Sequence, residues 1–163
     1  MNRSDLVPSK IVDAQEAAKM ANRWRLPGKK IAFTNGVFDI LHPGLIHSLS
    51  VAAREADYLV VGLNSDASVK RLKGSDRPVN DEQSRALILA SLVIVDAVVI
   101  FEEDTPLELV KMLMPDVMVK GGDYKVQEIA GAKEVQEAGG RVVINPLLPG
   151  WSTTSLIEKI RKT

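Results

Sequence analysis

The chain has 163 residues with 21 basic and 21 acidic side chains, 45% hydrophobic and 4% aromatic residues, and no cysteine. That length suits one domain, able to bury roughly 70% of its unfolded surface, and the missing cysteine excludes disulfides, thiolate zinc sites, iron–sulfur clusters and a thiol nucleophile. A formal net charge of zero argues against binding a nucleic-acid backbone, which relies on clustered Lys and Arg, and favours small or mixed-charge ligands.

Met1 to Lys10 is polar and broken by Pro8, so it lacks the apolar core of a secretory signal. The richest apolar stretch, Ala86 to Phe101, is interrupted by Asp96 and is too short to span a bilayer as one helix. Both features lead to the expectation of a cytoplasmic protein with no membrane partner. Asp13 to Arg25 reads as an amphipathic helix, with Ala17, Met20, Ala21 and Trp24 at helical spacing and a stop at Pro27 and Gly28. The expected organisation is a helical extension over residues 1–28 followed by one domain over residues 29–163.

From there apolar runs of strand length alternate with helix-length segments, the pattern of a parallel sheet covered by helices. Strands are expected at Ile31 to Thr34, Tyr58 to Leu63, Ala97 to Phe101, Val117 to Val119 and Val142 to Ile144. Helices are expected from Gly44 to Glu55, from an Asn80 cap to Leu92, from Pro106 to Leu113, from Ala132 to Ala138, and from Ser152 or Thr153 to Arg161. The expected fold is therefore α/β, a Rossmann-like doubly wound five-stranded parallel sheet in a single domain with an extra N-terminal helix. Ligands of such sheets bind beyond the carboxyl ends of the strands, at the switch point of strand order.

The loop after the first strand reads Thr34-Asn35-Gly36-Val37-Phe38-Asp39-Ile40-Leu41-His42-Pro43-Gly44. Neither a G-x-G-x-x-G fingerprint nor a Walker A lysine occurs in the chain, which removes the main support for hydride transfer and P-loop hydrolysis. His42 stands before Pro43, a favoured first helical residue, so its imidazole falls at a helix N-terminus whose N–H groups and dipole attract phosphate. Gly44 would let a phosphate approach the backbone. A plain helix cap accounts for His42 equally well.

The other strand-end loops carry Asn64-Ser65-Asp66, Lys70-Arg71-Leu72-Lys73-Gly74, Arg77-Pro78, Phe101-Glu102-Glu103-Asp104-Thr105-Pro106, Val119-Lys120-Gly121-Gly122-Asp123-Tyr124 and Ser152-Thr153-Thr154. Together with the first loop they resemble the nucleotidyltransferase superfamily with the His-x-Gly-His motif, and within it the heptose 1-phosphate adenylyltransferases, from about Lys30 to Lys162. The resemblance implies attack of a sugar 1-phosphate oxygen on the α-phosphorus of ATP, with Mg²⁺ on the triphosphate and no metal ligand from the protein. Such transfers need positioning and charge stabilisation more than a covalent nucleophile. His42 and Lys73 are the implied catalytic pair. Nucleotide and phosphate contacts are implied for Thr34, Asn35, Gly36, Phe38, Gly44, Leu45 and Arg77, for Gly121, Gly122 and Asp123, and for Ser152, Thr153 and Thr154. Sugar-phosphate contacts are implied for Asp39, Asn64, Asp66 and Tyr124.

Each motif also has a plainer structural reading. Lys70, Arg71 and Lys73 can be a solvated basic turn, Gly121 and Gly122 a tight turn, and Asp39 a turn cap or a support for His42. Ser152 to Thr154 can cap the last helix, beside a Ser155-x-x-Glu158 capping box. Glu102, Glu103 and Asp104 read as a helix start, with no ligand role. The resemblance further implies a homo-oligomer, and a stand-alone form whose sugar kinase and phosphatase are separate proteins.

The motif here reads His42-Pro43-Gly44-Leu45, without its second histidine. Positions three apart at a helix start face the same ligand, whereas His47, about 200° around from Leu45, points away. Losing one preorganised donor costs on the order of 10²- to 10³-fold in rate, so reduced turnover with ATP binding retained is expected. Two other readings stay open. One is a cytidylyltransferase acting on a small phosphorylated alcohol, since composition and spacing do not separate ATP from CTP; the other is a non-catalytic nucleotide-binding module.

Overall fold

Continuous apolar runs that are buried on both faces form the centre of the molecule, as parallel strands require. The computed structural model describes residues 2–163, so Met1, the first residue of the expected extension, lies outside them. The strands are β1 (Ile31–Gly36), β2 (Tyr58–Asn64), β3 (Ala97–Phe101), β4 (Val117–Gly121) and β5 (Arg141–Asn145). They make one parallel sheet in the order β3-β2-β1-β4-β5.

The helices are α1 (Arg3–Leu6), α2 (Ala14–Arg25), α3 (Pro43–Arg54), α4 (Asp66–Lys73), α5 (Glu82–Ala90), α6 (Leu107–Leu113), α7 (Ala132–Glu137) and α8 (Thr153–Arg161). One face of the sheet packs Ile31, Phe33, Val60, Val99 and Met118 against α2, α6 and α7. The other packs Ala32, Leu59, Val61, Leu63 and Val119 against Leu49 and Ala52 of α3 and Ala86, Leu89 and Ala90 of α5. The expected N-terminal extension is thus part of the single core: Ala17 and Ala21 are fully buried, and Trp24 stacks on Tyr58 with centroids 4.3 Å apart. Ahead of α2, Ile11 bridges Val98 at the outer edge of β3, and the Val12 N–H donates to the Val98 carbonyl at 3.0 Å.

Three local expectations are corrected. The basic stretch after β2 is the helix α4, begun by Ser65, whose side chain accepts from the Ser68 N–H. α5 is capped by Asp81, which accepts from the Ser84 N–H, while the Asn80 N–H is turned toward Asp39. α8 is capped by Ser152, whose hydroxyl accepts from the Ser155 N–H, so the Ser155 and Glu158 capping box does not form.

The sheet opens where its order reverses. β1 pairs with β2 along its whole length, yet meets β4 only at Ala32–Val117 and Phe33–Met118. Beyond Phe33 the two strands separate, and the ligand crevice of this architecture lies above that gap.

Candidate functional site

A cavity of about 630 Å³ occupies the crevice, walled by the loop after β1, the start of α3, the ends of α4 and β4, and the segment leading into α8. His42 caps α3: the Gly44 N–H donates to its Nδ1 at 3.1 Å. That bond leaves Nδ1 unprotonated and makes Nε2–H the ring's donor toward the cavity it lines. Burial holds the His42 pKa below the ordinary 6.5, which favours this neutral form. The Trp151 ring lies nearly parallel to the imidazole, 6.1 Å away.

The two helix starts differ. At α3, Pro43 has no N–H, that of Gly44 is given to His42, and those of Leu45 and Ile46 go to the His42 carbonyl. The expected row of free amides is therefore absent there, leaving the helix dipole and the imidazole. At α8, Ser152 is committed to capping, while no acceptor among the described residues engages the Thr153 or Thr154 N–H. α8 is the helix start with donors to spare.

Cations surround the same space. Asp39, 1% exposed, accepts from Arg77 Nε at 2.9 Å and from the Val79 and Asn80 N–H groups, so Arg77 is held at the wall. Arg71 pairs with Asp104 at 2.8 Å and also donates to the Glu102 carbonyl. Lys73 and Lys120 both line the cavity and have no carboxylate partner among the described residues. Lys120 Nζ sits 5.4 Å from the centroid of the Tyr124 ring. Its pKa is lowered, first by burial and then by the charge of Lys73.

Of the residues singled out in the sequence, Asn35, Gly36, Phe38, Asp39, His42, Gly44, Leu45, Asn64, Lys73, Arg77, Tyr124, Ser152, Thr153 and Thr154 converge on this one cavity. Thr34, Asp66, Gly121, Gly122 and Asp123 do not reach its wall. Thr34 is buried inside β1, and the Asp66 carboxylate is taken by Arg85 at 2.7 Å. Asp123 is exposed, Leu147 and Ser48 lie over Gly121, and Gly122, at φ +121°, gives the Tyr124 ring its place. The Asp39 carboxylate accepts from Arg77, Val79 and Asn80 of the 77–80 loop, which makes it the support of Arg77. Gly44 has a different cause too: a Cβ there would stand 2.8 Å from Trp151 Cβ and 3.0 Å from the imidazole, so the glycine lets the two rings close.

Sequence reasoning left out Lys120 and Trp151 as site residues, and it missed Arg85 altogether. Arg85 is 0% exposed and donates to the carbonyls of Val37, Asn64 and Asn80 as well as to Asp66, tying four segments under the cavity floor. Two-residue alternation along β4 was a usable signal for Lys120, which shares a face with Met118. Nothing local signals Arg85.

The family model described as cytidylyltransferase-like matches residues 33–159. The chain belongs to the cytidylyltransferase-like family of nucleotidyltransferases. It is 56% identical over 152 residues to the bifunctional protein HldE of Acidiphilium cryptum, covering 93% of this chain and 31% of that one. It is 54% identical over 162 residues to the bifunctional protein HldE of Paramagnetospirillum magneticum, covering 98% and 33%. The chain thus spans about a third of the length of these curated relatives. Among solved structures, the lipopolysaccharide core biosynthesis protein from Thermoplasma volcanium superposes with a TM-score of 0.61 at 30% identity, covering 74% of this chain and 98% of that one. A pantoate-beta-alanine ligase from Francisella tularensis, at 16% identity and a TM-score of 0.58 over 94% of this chain and 78% of its own, shares the fold. The family match begins at Phe33 and ends inside α8, so the cavity and both helix starts lie within it. No helix is long and apolar enough to cross a membrane among the described residues.

Proposed function

We propose that this chain is an adenylyltransferase that joins ATP to a heptose 1-phosphate, giving an ADP-heptose and pyrophosphate for the assembly of lipopolysaccharide core. The observation that carries the reading is the meeting, in one cavity, of a neutral His42, the Thr153 and Thr154 N–H groups and two lysines, none of these last four with a protein partner among the described residues. Relatives named HldE and a relative named for lipopolysaccharide core biosynthesis support the substrate branch.

In the reaction an acceptor phosphate oxygen forms a bond to the α-phosphorus of ATP, and the bond from that phosphorus to the pyrophosphate oxygen breaks, its electron pair leaving with pyrophosphate. His42 Nε2–H donates to oxygens on which charge grows, and the α8 start grips the polyphosphate. Arg77, fixed by Asp39, and Lys73 balance the charge that accumulates on the leaving group and the acceptor. A magnesium ion bound with ATP would neutralise phosphate charge. The same reading places the protein in the cytoplasm as a homo-oligomer, which sedimentation of the purified chain tests.

Leu45 occupies the wall where the motif has its second histidine. The deciding experiment measures pyrophosphate release with Mg²⁺ and either D-glycero-β-D-manno-heptose 1-phosphate or glycerol 3-phosphate, with ATP and CTP in parallel, for this chain and for Leu45→His. ATP turnover that rises about a hundredfold in Leu45→His with ATP affinity unchanged upholds the reading. A preference for CTP with a small phosphorylated alcohol, or ATP binding without pyrophosphate release in either protein, overturns it.

A further inference from the structure

Strand alternation sorts the cavity wall into two sides. His42, Gly44 and Trp151 stand on the α3 side, together with the start of α8. Asn35 and Lys120 stand on the opposite side, in the same alternation as Phe33 and Met118, which pack toward α2, α6 and α7. The Asn35 side chain lies over Gly62, and its Oδ1 is buried without a hydrogen-bond partner. Lys120 and Lys73 have no carboxylate partner among the described residues, while Arg77 in the same wall is paired with Asp39. Two ammonium groups that face one space repel each other, and a half-buried one also loses hydration, so their arrangement favours a dianion between them. An unpaired buried oxygen, in turn, needs a donor. The α8 donors assigned above to the polyphosphate lie on the other side of the wall, so Lys120 and Asn35 are left without a role in nucleotide binding, while Lys73 stands between the two.

We propose that Lys120, with Lys73, forms a second anion subsite that takes the phosphate monoester of the acceptor, and that Asn35 Oδ1 accepts a hydrogen bond from a hydroxyl of the same molecule. The subsite rests on the nucleotidyl-transfer reading above and adds where the acceptor lies: across the β1–β4 gap from His42. An acceptor held there approaches the α-phosphorus from the side opposite α8, as in-line displacement of pyrophosphate requires. The contact of Lys120 with Tyr124 fixes the ammonium before the acceptor arrives. The lowered pKa of Lys120 agrees with a charge that gains from an incoming anion.

The test is calorimetry on the full chain saturated with α,β-methylene-ATP, titrated with inorganic phosphate, glycerol 3-phosphate and D-glycero-β-D-manno-heptose 1-phosphate. Lys120→Met keeps the apolar stem and removes the charge; Lys120→Arg keeps the charge. In Lys120→Met the phosphates bind about ten- to a hundredfold more weakly, the loss of one charge-assisted hydrogen bond, while affinity for the ATP analogue stays within about twofold. Lys120→Arg recovers most of the phosphate affinity. Equal phosphate affinity in Lys120→Met, or a parallel loss of affinity for the ATP analogue, overturns the subsite. Inorganic phosphate binding that depends on Lys120, found together with no turnover of heptose 1-phosphate, overturns the heptose reading and leaves the subsite standing. Heptose turnover with no dependence on Lys120 does the reverse.

Discussion

The geometry around His42 fits one protonation state. With Nδ1 accepting from Gly44, the neutral ring has a donor only at Nε2, and protonation would set a new Nδ1 proton against the Gly44 N–H. Burial lowers the folded pKa below 6.5, so the stability that the neutral ring contributes is fully present above pH 6.5 and is lost as pH falls through the folded value. Melting temperature and kcat/KM should hold level from pH 8 to 6.5 and decline below, and in His42→Asn the acid decline of the melting temperature should shrink. Asp39 gives a second prediction. Asp39→Ala leaves Arg77, only 13% exposed, without its carboxylate and two N–H groups without an acceptor. It should cost about 3 to 5 kcal/mol in urea unfolding, with weaker binding at the wall Arg77 supports. The residues that meet in the cavity were legible because they stand in loops at the carboxyl ends of the strands, where ligands of this architecture bind. What Asp39 does was not, because its partners lie 38 to 41 positions away. Only the folded chain brings them together.

Among elements, the strands were the most legible part, since burial on both faces leaves an unbroken apolar run. α4 was hidden for the opposite reason: its buried positions are only Ser68 and Val69, and Ala67 and Leu72 are exposed among charged residues, so it has almost no buried apolar stripe. Its buried serine is satisfied by Asn64 and by the Glu103 carbonyl, a polar fit that periodicity does not register. α8 shows how the site depends on a weakly held element. It has no fully buried residue, its Leu156 and Ile157 are only half-buried, its Ile160 is 65% exposed, and its ion pair with the body is the exposed one of Arg161 with Asp76. Few buried apolar contacts mean a low free energy of local opening. Amide hydrogens of α8 should exchange orders of magnitude faster than those of β1 and β2 in the free protein, and slow on addition of ATP if the proposed contact with Thr153 and Thr154 forms; hydrogen exchange read by mass spectrometry compares the two states.

At the scale of the molecule, the strand order decides where the ligand goes, and the N-terminal segment decides whether the sheet is fully covered. Residues 1–28 were expected as an extension, yet α2 closes one face of the sheet over Ile31, Phe33 and Val99. Trp24→Ala removes the stack on Tyr58 and should cost about 2 kcal/mol, lowering Tm by roughly 4 to 8 °C in calorimetry. The few residues before α2 act differently. β3 is an outer strand of buried Ala97, Val98 and Val99, and an apolar strand with open N–H and C=O groups is a template for a neighbouring chain. Ile11 and Val12 lie along that border and take up the Val98 carbonyl. The segment therefore guards colloidal behaviour as much as fold: without it, strands of separate molecules would meet where one backbone hydrogen bond now keeps them apart, and solubility would become a question of protein concentration.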